Sequence, residues 1–181
     1  MRILGVDPGQ SIGLCLYDAD QRRVLEASTV KQVADVVYDL WTCDVIVVER
    51  LVPHGASYPQ VVTASFIAGR LLERAAAHMG VLHAVELTRH EVRRELQDAT
   101  HGSVRVKDDP SVWAALVLLH GGQEAARKPR KRKGVIVDDG GAIGLPVAHE
   151  RAALAVAVAY ALKRERAIER GTSDEEPNGS A

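Results

Sequence analysis

Apolar residues crowd the start of the chain in two runs, residues 2–6 and 12–17, separated by Asp7-Pro8-Gly9-Gln10-Ser11. Runs this apolar and this rich in Ile, Val and Leu predict two strands joined at a turn rather than a solvated loop. Asp18-Ala19-Asp20 is a further turn signal, and residues 23–30 partly alternate apolar with polar side chains, as an edge strand does. A three-stranded antiparallel meander is the expected result. Residues 31–41 then place Val33, Val36, Val37 and Leu40 at helical spacing and lead into a continuous apolar strand, 44–48, ending at Glu49.

After a loop over 52–60, a long helix is expected over 59–78, stopping at Gly80. Residues 81–87 predict a fifth strand and 88–96 a short basic helix. Asp109-Pro110-Ser111 opens another helix reaching about His120, with proline near the N-terminus, where its missing N–H is not needed. From 121 to 148 the periodicity gives way to Gly, Lys and Arg, which predicts a flexible basic loop. A last helix is expected over 149–164, rich in alanine for close packing on the sheet, and a disordered polar tail over 169–181. The order predicts one α/β domain, residues 1–168, with a five-stranded mixed sheet: the antiparallel meander plus two parallel strands, flanked by helices.

Composition narrows what this domain does. With 181 residues, 46% of them hydrophobic, the chain has enough apolar material for a sizeable core. A formal net charge of −1 excludes a general polycation, so any site for a polyanion must be a local patch. Cys15 and Cys43 lie in or beside apolar runs with no metal-binding spacing and are expected to be reduced core residues. No charged leader precedes an apolar segment and no run approaches a membrane span, so a cytoplasmic protein is expected.

The chemistry starts at Asp7. A carboxylate at the end of a central strand is costly unless a cation compensates it, and a divalent metal would do so. Asp7 as a simple cap of the Pro8-Gly9 turn is the alternative. The fourth strand also ends on an acid, Glu49, and neighbouring parallel strands bring their C-terminal ends together at the sheet edge where α/β proteins place their sites. Two carboxylates meeting there repel unless Mg2+ or Mn2+ bridges them. Two such ions about 4 Å apart form an arrangement that cleaves phosphodiesters.

In Ile3-Leu-Gly-Val-Asp7-Pro-Gly9, Val45-Ile-Val-Val-Glu49 and His149-Glu-Arg-Ala-Ala-Leu-Ala-Val-Ala157, taken in that order, the chain resembles the RuvC-type Holliday-junction resolvases of the ribonuclease H-like superfamily. The likeness spans about residues 1–165 and is greatest to the shorter RuvC-like proteins of phages and prophages, where a pair such as Lys107-Asp108 also precedes the penultimate helix. The resemblance implies a homodimeric, metal-dependent endonuclease acting on branched DNA. Asp7 and Glu49 then match the first two metal-binding acids, and His149 matches a position held by Asp or His. One departure stands out: three residues after His149, where the resolvases carry their last metal-binding Asp, this chain has Ala152. Glu150 lies about 100° around the helix from His149 and does not simply replace it.

Around that core, Asp108 is either a helix cap or a further ligand, and Glu150 and Asp139 are the other candidate acids. His149 has the plainer alternative of a helix-start residue with a solvated ring. Arg70, Arg93 and Lys107, with Arg127, Lys128, Arg130, Lys131, Arg132 and Lys133 of the basic loop, are the candidate DNA-binding cations, the loop being otherwise a merely solvated segment. Trp41 and Trp113 are expected in the core. The long helix is apolar over a wide arc at Val61, Val62, Phe66, Ile67, Leu71 and Leu72, which is either sheet packing alone or also the dimer face that the resemblance implies. Two other functions fit parts of the pattern. One is a junction-binding protein without turnover, which Ala152 favours. The other is an ATP-binding domain of the actin and sugar-kinase type, whose first phosphate loop resembles Gly5-Val-Asp7-Pro-Gly9 but which needs a second domain that this length does not accommodate.

Overall fold

The computed structural model describes residues 1–31, 43–52, 58–77, 83–132, 135–138, 140–144, 146 and 148–171. Among them β1 (Arg2–Asp7), β2 (Ile12–Asp18), β3 (Arg23–Val30), β4 (Val45–Arg50) and β5 (His83–Thr88) form one sheet in the order β3-β2-β1-β4-β5. The first three strands pair antiparallel, and β4 lies parallel to both β1 and β5. This is the mixed sheet that the sequence predicts. The helix expected over 31–41, from residue 32 on, the stop at Gly80 and the first residues of the fifth strand lie outside the described residues, as do Trp41, Lys133, Asp139 and the tail from 172 on.

β1 is central and buried on both sides, which is why its sequence is a continuous apolar run rather than an alternating one. Side chains still alternate in direction. Leu4 and Val6 join Ile46 and Val48 on one face, where α1 (Tyr58–Ala77) covers them with Ala68, Leu71 and Ala75. Ile3 joins Val45, Val47 and Leu87 on the other, under α2 (Arg89–Ala99), α3 (Asp109–Leu119) and α4 (His149–Glu169).

On that second face the sheet meets α4 through glycine. A Cβ on Gly5 would stand 2.0 Å from the Ala153 carbonyl oxygen, and one on Gly13 would stand 2.3 Å from that of His149. No side chain fits at either place. Gly13 is also the antiparallel partner of Asp7, so the contact that seats the first turn of α4 lies beside the acid. The alanines of α4 complete the close approach, with Ala153, Ala155, Ala157 and Ala159 all buried.

α4 runs to Glu169, five residues past the expected end at 164, because its last turns are tied to α2. Arg166 pairs with the buried Glu95 and with Asp98, and Lys163 approaches Glu91. The segment expected as an unstructured basic loop is also partly ordered: it contains a 3-10 turn, Gln123–Ala126, and an antiparallel ribbon of β6 (Arg130–Arg132) and β7 (Val135–Asp138). Backbone bonds from Gly141 to Arg127, Ile143 to Ala125 and Val24 to Ala142 fasten its base, and Ile143 is fully buried. No helix among the described residues is long and apolar enough to cross a membrane.

Candidate functional site

The β1–β4 register pairs Gly5 with Val47 and Val6 with Val48, so continuing it by one residue sets Asp7 level with Glu49 at the C-terminal edge of the sheet. Both point to the α4 face by the two-residue period of a strand. Both are buried: Asp7 is 9% exposed and Glu49 3%. α4 enters over this point through Ala148, whose φ of 43° is a left-handed conformation that a residue with a side chain adopts at a cost. That turn delivers His149, whose half-exposed ring places Nδ1 3.3 Å from Asp7 Oδ2.

The third approach is from β5. Glu49 pairs across the sheet with Leu87, and two residues further on Arg89 begins α2. Thr88 fixes that start with a capping box: its hydroxyl accepts from the Glu91 N–H while the Glu91 carboxylate accepts from the Thr88 N–H. Arg89 then grips Glu49 with both prongs of its guanidinium, Nε to Oε1 at 2.8 Å and Nη2 to Oε2 at 2.9 Å. Such fork-to-fork pairs are among the stronger charged hydrogen bonds.

Among the described residues Asp7 has no such partner, and its carboxyl is pushed up to about 6, first by burial and then by the charge of Glu49, against the opposing His149 hydrogen bond and Arg89 charge. Between 3.8 and about 6 the folded chain therefore holds the Asp7 proton more tightly than the unfolded chain. The stability this group contributes is full below the lower value and lost as pH rises through the upper one. A carbon-13 NMR titration of the Asp7 carboxyl should inflect near pH 6, and nearer its ordinary value in Glu49→Gln. An unperturbed inflection in the unsubstituted protein would refute the electrostatic description of the pair.

Of the residues singled out from sequence, Asp7, Glu49 and His149 are brought together. Glu150 is not: it is buried toward β3, where Oε1 accepts from the Thr29 hydroxyl at 3.0 Å, and its charge helps raise the Cys15 thiol after burial has done so. Asp108 caps α3, accepting from the Ser111 N–H at 3.0 Å and from its hydroxyl, and those bonds lower its pKa. Ala152 offers a methyl group one turn beyond His149. Trp113, expected in the core, is half-buried beneath the Arg151 guanidinium, 4.2 Å from the ring centre. Arg93 lies one turn after Arg89, and its charge and that of Lys107 both reach Asp108, so the two cations flank the start of α3. Arg70 is remote from this group, over the exposed ring of Phe66 on α1.

Arg89 is the residue that sequence reasoning missed. A signal was present: a cation at the first position of a helix opposes the helix dipole and needs an acid nearby to hold it there. Among the described residues no group of three or more His, Cys, Asp or Glu side chains is placed to hold a metal ion. Asp7 with His149 nevertheless provides an oxygen and a nitrogen donor, and Mg2+ commonly binds through one or two carboxylates with water and substrate phosphate completing its shell. The donor set fits one divalent ion at Asp7.

No known protein family matches the chain by sequence, and no curated protein does. In three dimensions it is similar to T. thermophilus RuvC in complex with Holliday junction substrate, with a TM-score of 0.59 and 17% sequence identity over 95% of this chain and 97% of that one. The fold is RuvC-like, within the ribonuclease H-like class.

Proposed function

We propose that the chain is a metal-dependent endonuclease that hydrolyses phosphodiesters in branched DNA, with four-way junctions as the preferred substrate. The observation that carries this is Asp7: a buried, electrostatically burdened carboxylate beside Glu49 and His149 at the C-terminal edge of a RuvC-like sheet. The solved neighbour with this fold was itself seen with a Holliday junction. The sequence likeness to the shorter phage and prophage resolvases belongs to the same proposal. The test is cleavage of a labelled four-way junction, compared with linear duplex, with Mg2+ or Mn2+ added.

In this reading Asp7 gives up its proton to hold the ion and His149 assists from Nδ1 or, through Nε2, orients water. When bound, a divalent ion polarises the phosphate and lowers the pKa of its water. Glu49 keeps Arg89 aimed at the same edge. Arg93, Lys107 and the basic ribbon take the flanking phosphates, which position the DNA without reading its sequence. Neutralising Arg127, Lys128, Arg130, Lys131, Arg132 and Lys133 together should flatten the log–log salt dependence of junction binding by up to about 5. Arg127 already pairs with Glu124, so a somewhat smaller change is expected, and an unchanged slope would remove the ribbon from the interface.

A four-way junction has two symmetric scissile strands and requires two sites, hence a homodimer. On α1, Val62 is 50% exposed and Phe66 64% exposed, four residues apart on one side of the helix. Apolar side chains so exposed at helical spacing suit a self-complementary contact. Phe66→Glu is expected to convert the dimer to monomer in sedimentation velocity while the far-UV circular dichroism of the folded chain is kept. Identical sedimentation of variant and parent would exclude this face.

A second function, junction binding without turnover, is favoured by Ala152 and by the engagement of both Glu49 oxygens with Arg89. Junction binding with no cleavage in any divalent metal would support it.

A further inference from the structure

We infer that Arg89 is the resident cation of Glu49, standing where a second metal ion would otherwise sit, so that the site takes a single divalent ion at Asp7. This rests on the nuclease reading and departs from the two-ion arrangement that the sequence resemblance implies.

The two acids differ in what surrounds them. Each oxygen of Glu49 already receives a guanidinium nitrogen, at 2.8 and 2.9 Å. The Glu49 side chain is only 4% exposed, whereas Arg89 is 43% exposed. An incoming ion would have to strip a bidentate partner from a carboxylate that water barely reaches, leaving it to replace those bonds with a shell that has little room. Arg89 is also not a loose side chain: strand register and the Thr88–Glu91 capping box set its backbone next to Glu49. Asp7, by contrast, has among the described residues a single hydrogen-bond contact at its carboxylate, the longer one to His149 at 3.3 Å. Ala152 supplies no acid to make up for Glu49.

Arg89 keeps donors to spare. A guanidinium has five N–H groups and the grip on Glu49 uses two, so the half-exposed remainder is free to donate to a phosphate oxygen while the pair stays intact. The charge a second ion would place on the phosphate is thus supplied by the chain, from a group whose position does not depend on metal concentration. Arg89 acts on substrate and Glu49 is its positioning residue.

The test is Mn2+ titrated alone into the full chain, with bound and free ion separated by electron paramagnetic resonance. One ion per chain is expected. Asp7→Asn should lose it, while Glu49→Gln should still bind one ion, held more weakly because a negative charge beside Asp7 is gone. Arg89→Ala should melt lower than the parent without metal and bind a second ion. At a concentration one hundredfold above that second site's Kd, the extra ion should add roughly 5–10 °C to the melting temperature. Because Arg89→Ala leaves Glu49 buried and unpaired and can fail to fold, Arg89→Lys is the companion: it keeps the charge without the fork, and one ion is expected. Two ions in the parent, with Glu49→Gln reduced to one, would overturn the inference and leave the nuclease reading standing. No ion bound to any form, even at millimolar Mn2+, would overturn both.

Discussion

Replacing Asp7 with Asn is expected to abolish strand scission in a four-way junction, by roughly 10³-fold or more, the scale on which loss of one charge-stabilising group in an active site is felt. Asn keeps the shape and one carbonyl oxygen but removes the charge that would bind a hard cation, and with it the reason His149 is drawn to the pair. Binding should survive, because the proposed function assigns the flanking phosphates to cations elsewhere, on α2, before α3 and on the ribbon. The same substitution should raise the melting temperature slightly above pH 6, since it removes a charge that burial and Glu49 disfavour. Cleavage with the parent's rate would mean that the chemistry lies elsewhere, and loss of binding together with cleavage would mean that Asp7 is structural.

The second large effect is on the fold. Gly5→Ala places a Cβ 2.0 Å from the Ala153 carbonyl oxygen and 3.0 Å from the Ala157 Cβ. Neither contact can be relieved by turning a side chain, because the first is backbone and the second is a methyl group without rotamers. Either α4 lifts off the sheet or β1 bends, and overpacking of this kind costs about 3 kcal/mol or more. For a chain of this size the melting temperature should fall by roughly 6–12 °C. Gly13→Ala, which meets His149 itself, should cost less stability but displace the first turn of α4 and so disable the site. A Gly5→Ala protein that melts with the parent would show that α4 does not pack on β1 this closely.

The fold was legible in the sequence because its strands announce themselves in two ways. β1, β2 and β4 are continuous apolar runs, as strands buried on both faces must be, and the turn signals between the first three leave little choice but a meander. Asp7 and Glu49 could be set side by side from one rule, that acids ending adjacent parallel strands share an edge. The His149 contact required knowing how α4 enters, which depends on Gly5 and Gly13, and their role is visible only when the helix is in place.

What escaped sequence reasoning escaped for a common reason: each missing fact is a partner choice across long sequence separation. Arg89 reaches back forty residues to Glu49, and nothing local in 88–96 except an arginine in the wrong half of the helix dipole points to it. Glu150 turns to Thr29, 121 residues away, which removes it from the acids available beside Asp7. The basic segment gains order from Ile143 in the core and from backbone bonds at its base, while its composition alone suggests a solvated loop. Only Asp108 declared itself locally, since Asp108-Asp109-Pro110-Ser111 is the chemistry of a helix cap.

The choice between an enzyme and a junction-binding relative turns on whether Asp7, Glu49, His149 and Arg89 suffice where Ala152 supplies no acid. The direct measurement is single-turnover cleavage of a labelled four-way junction by the unsubstituted protein and by Ala152→Asp, in Mg2+ and in Mn2+, with linear duplex as the control. The unsubstituted protein is expected to cut the junction and spare the duplex, faster in Mn2+, which accepts the His149 imidazole more readily than Mg2+ does. If instead it binds the junction but leaves it intact in both metals, while Ala152→Asp cuts, the natural site is incomplete and the enzyme reading is wrong.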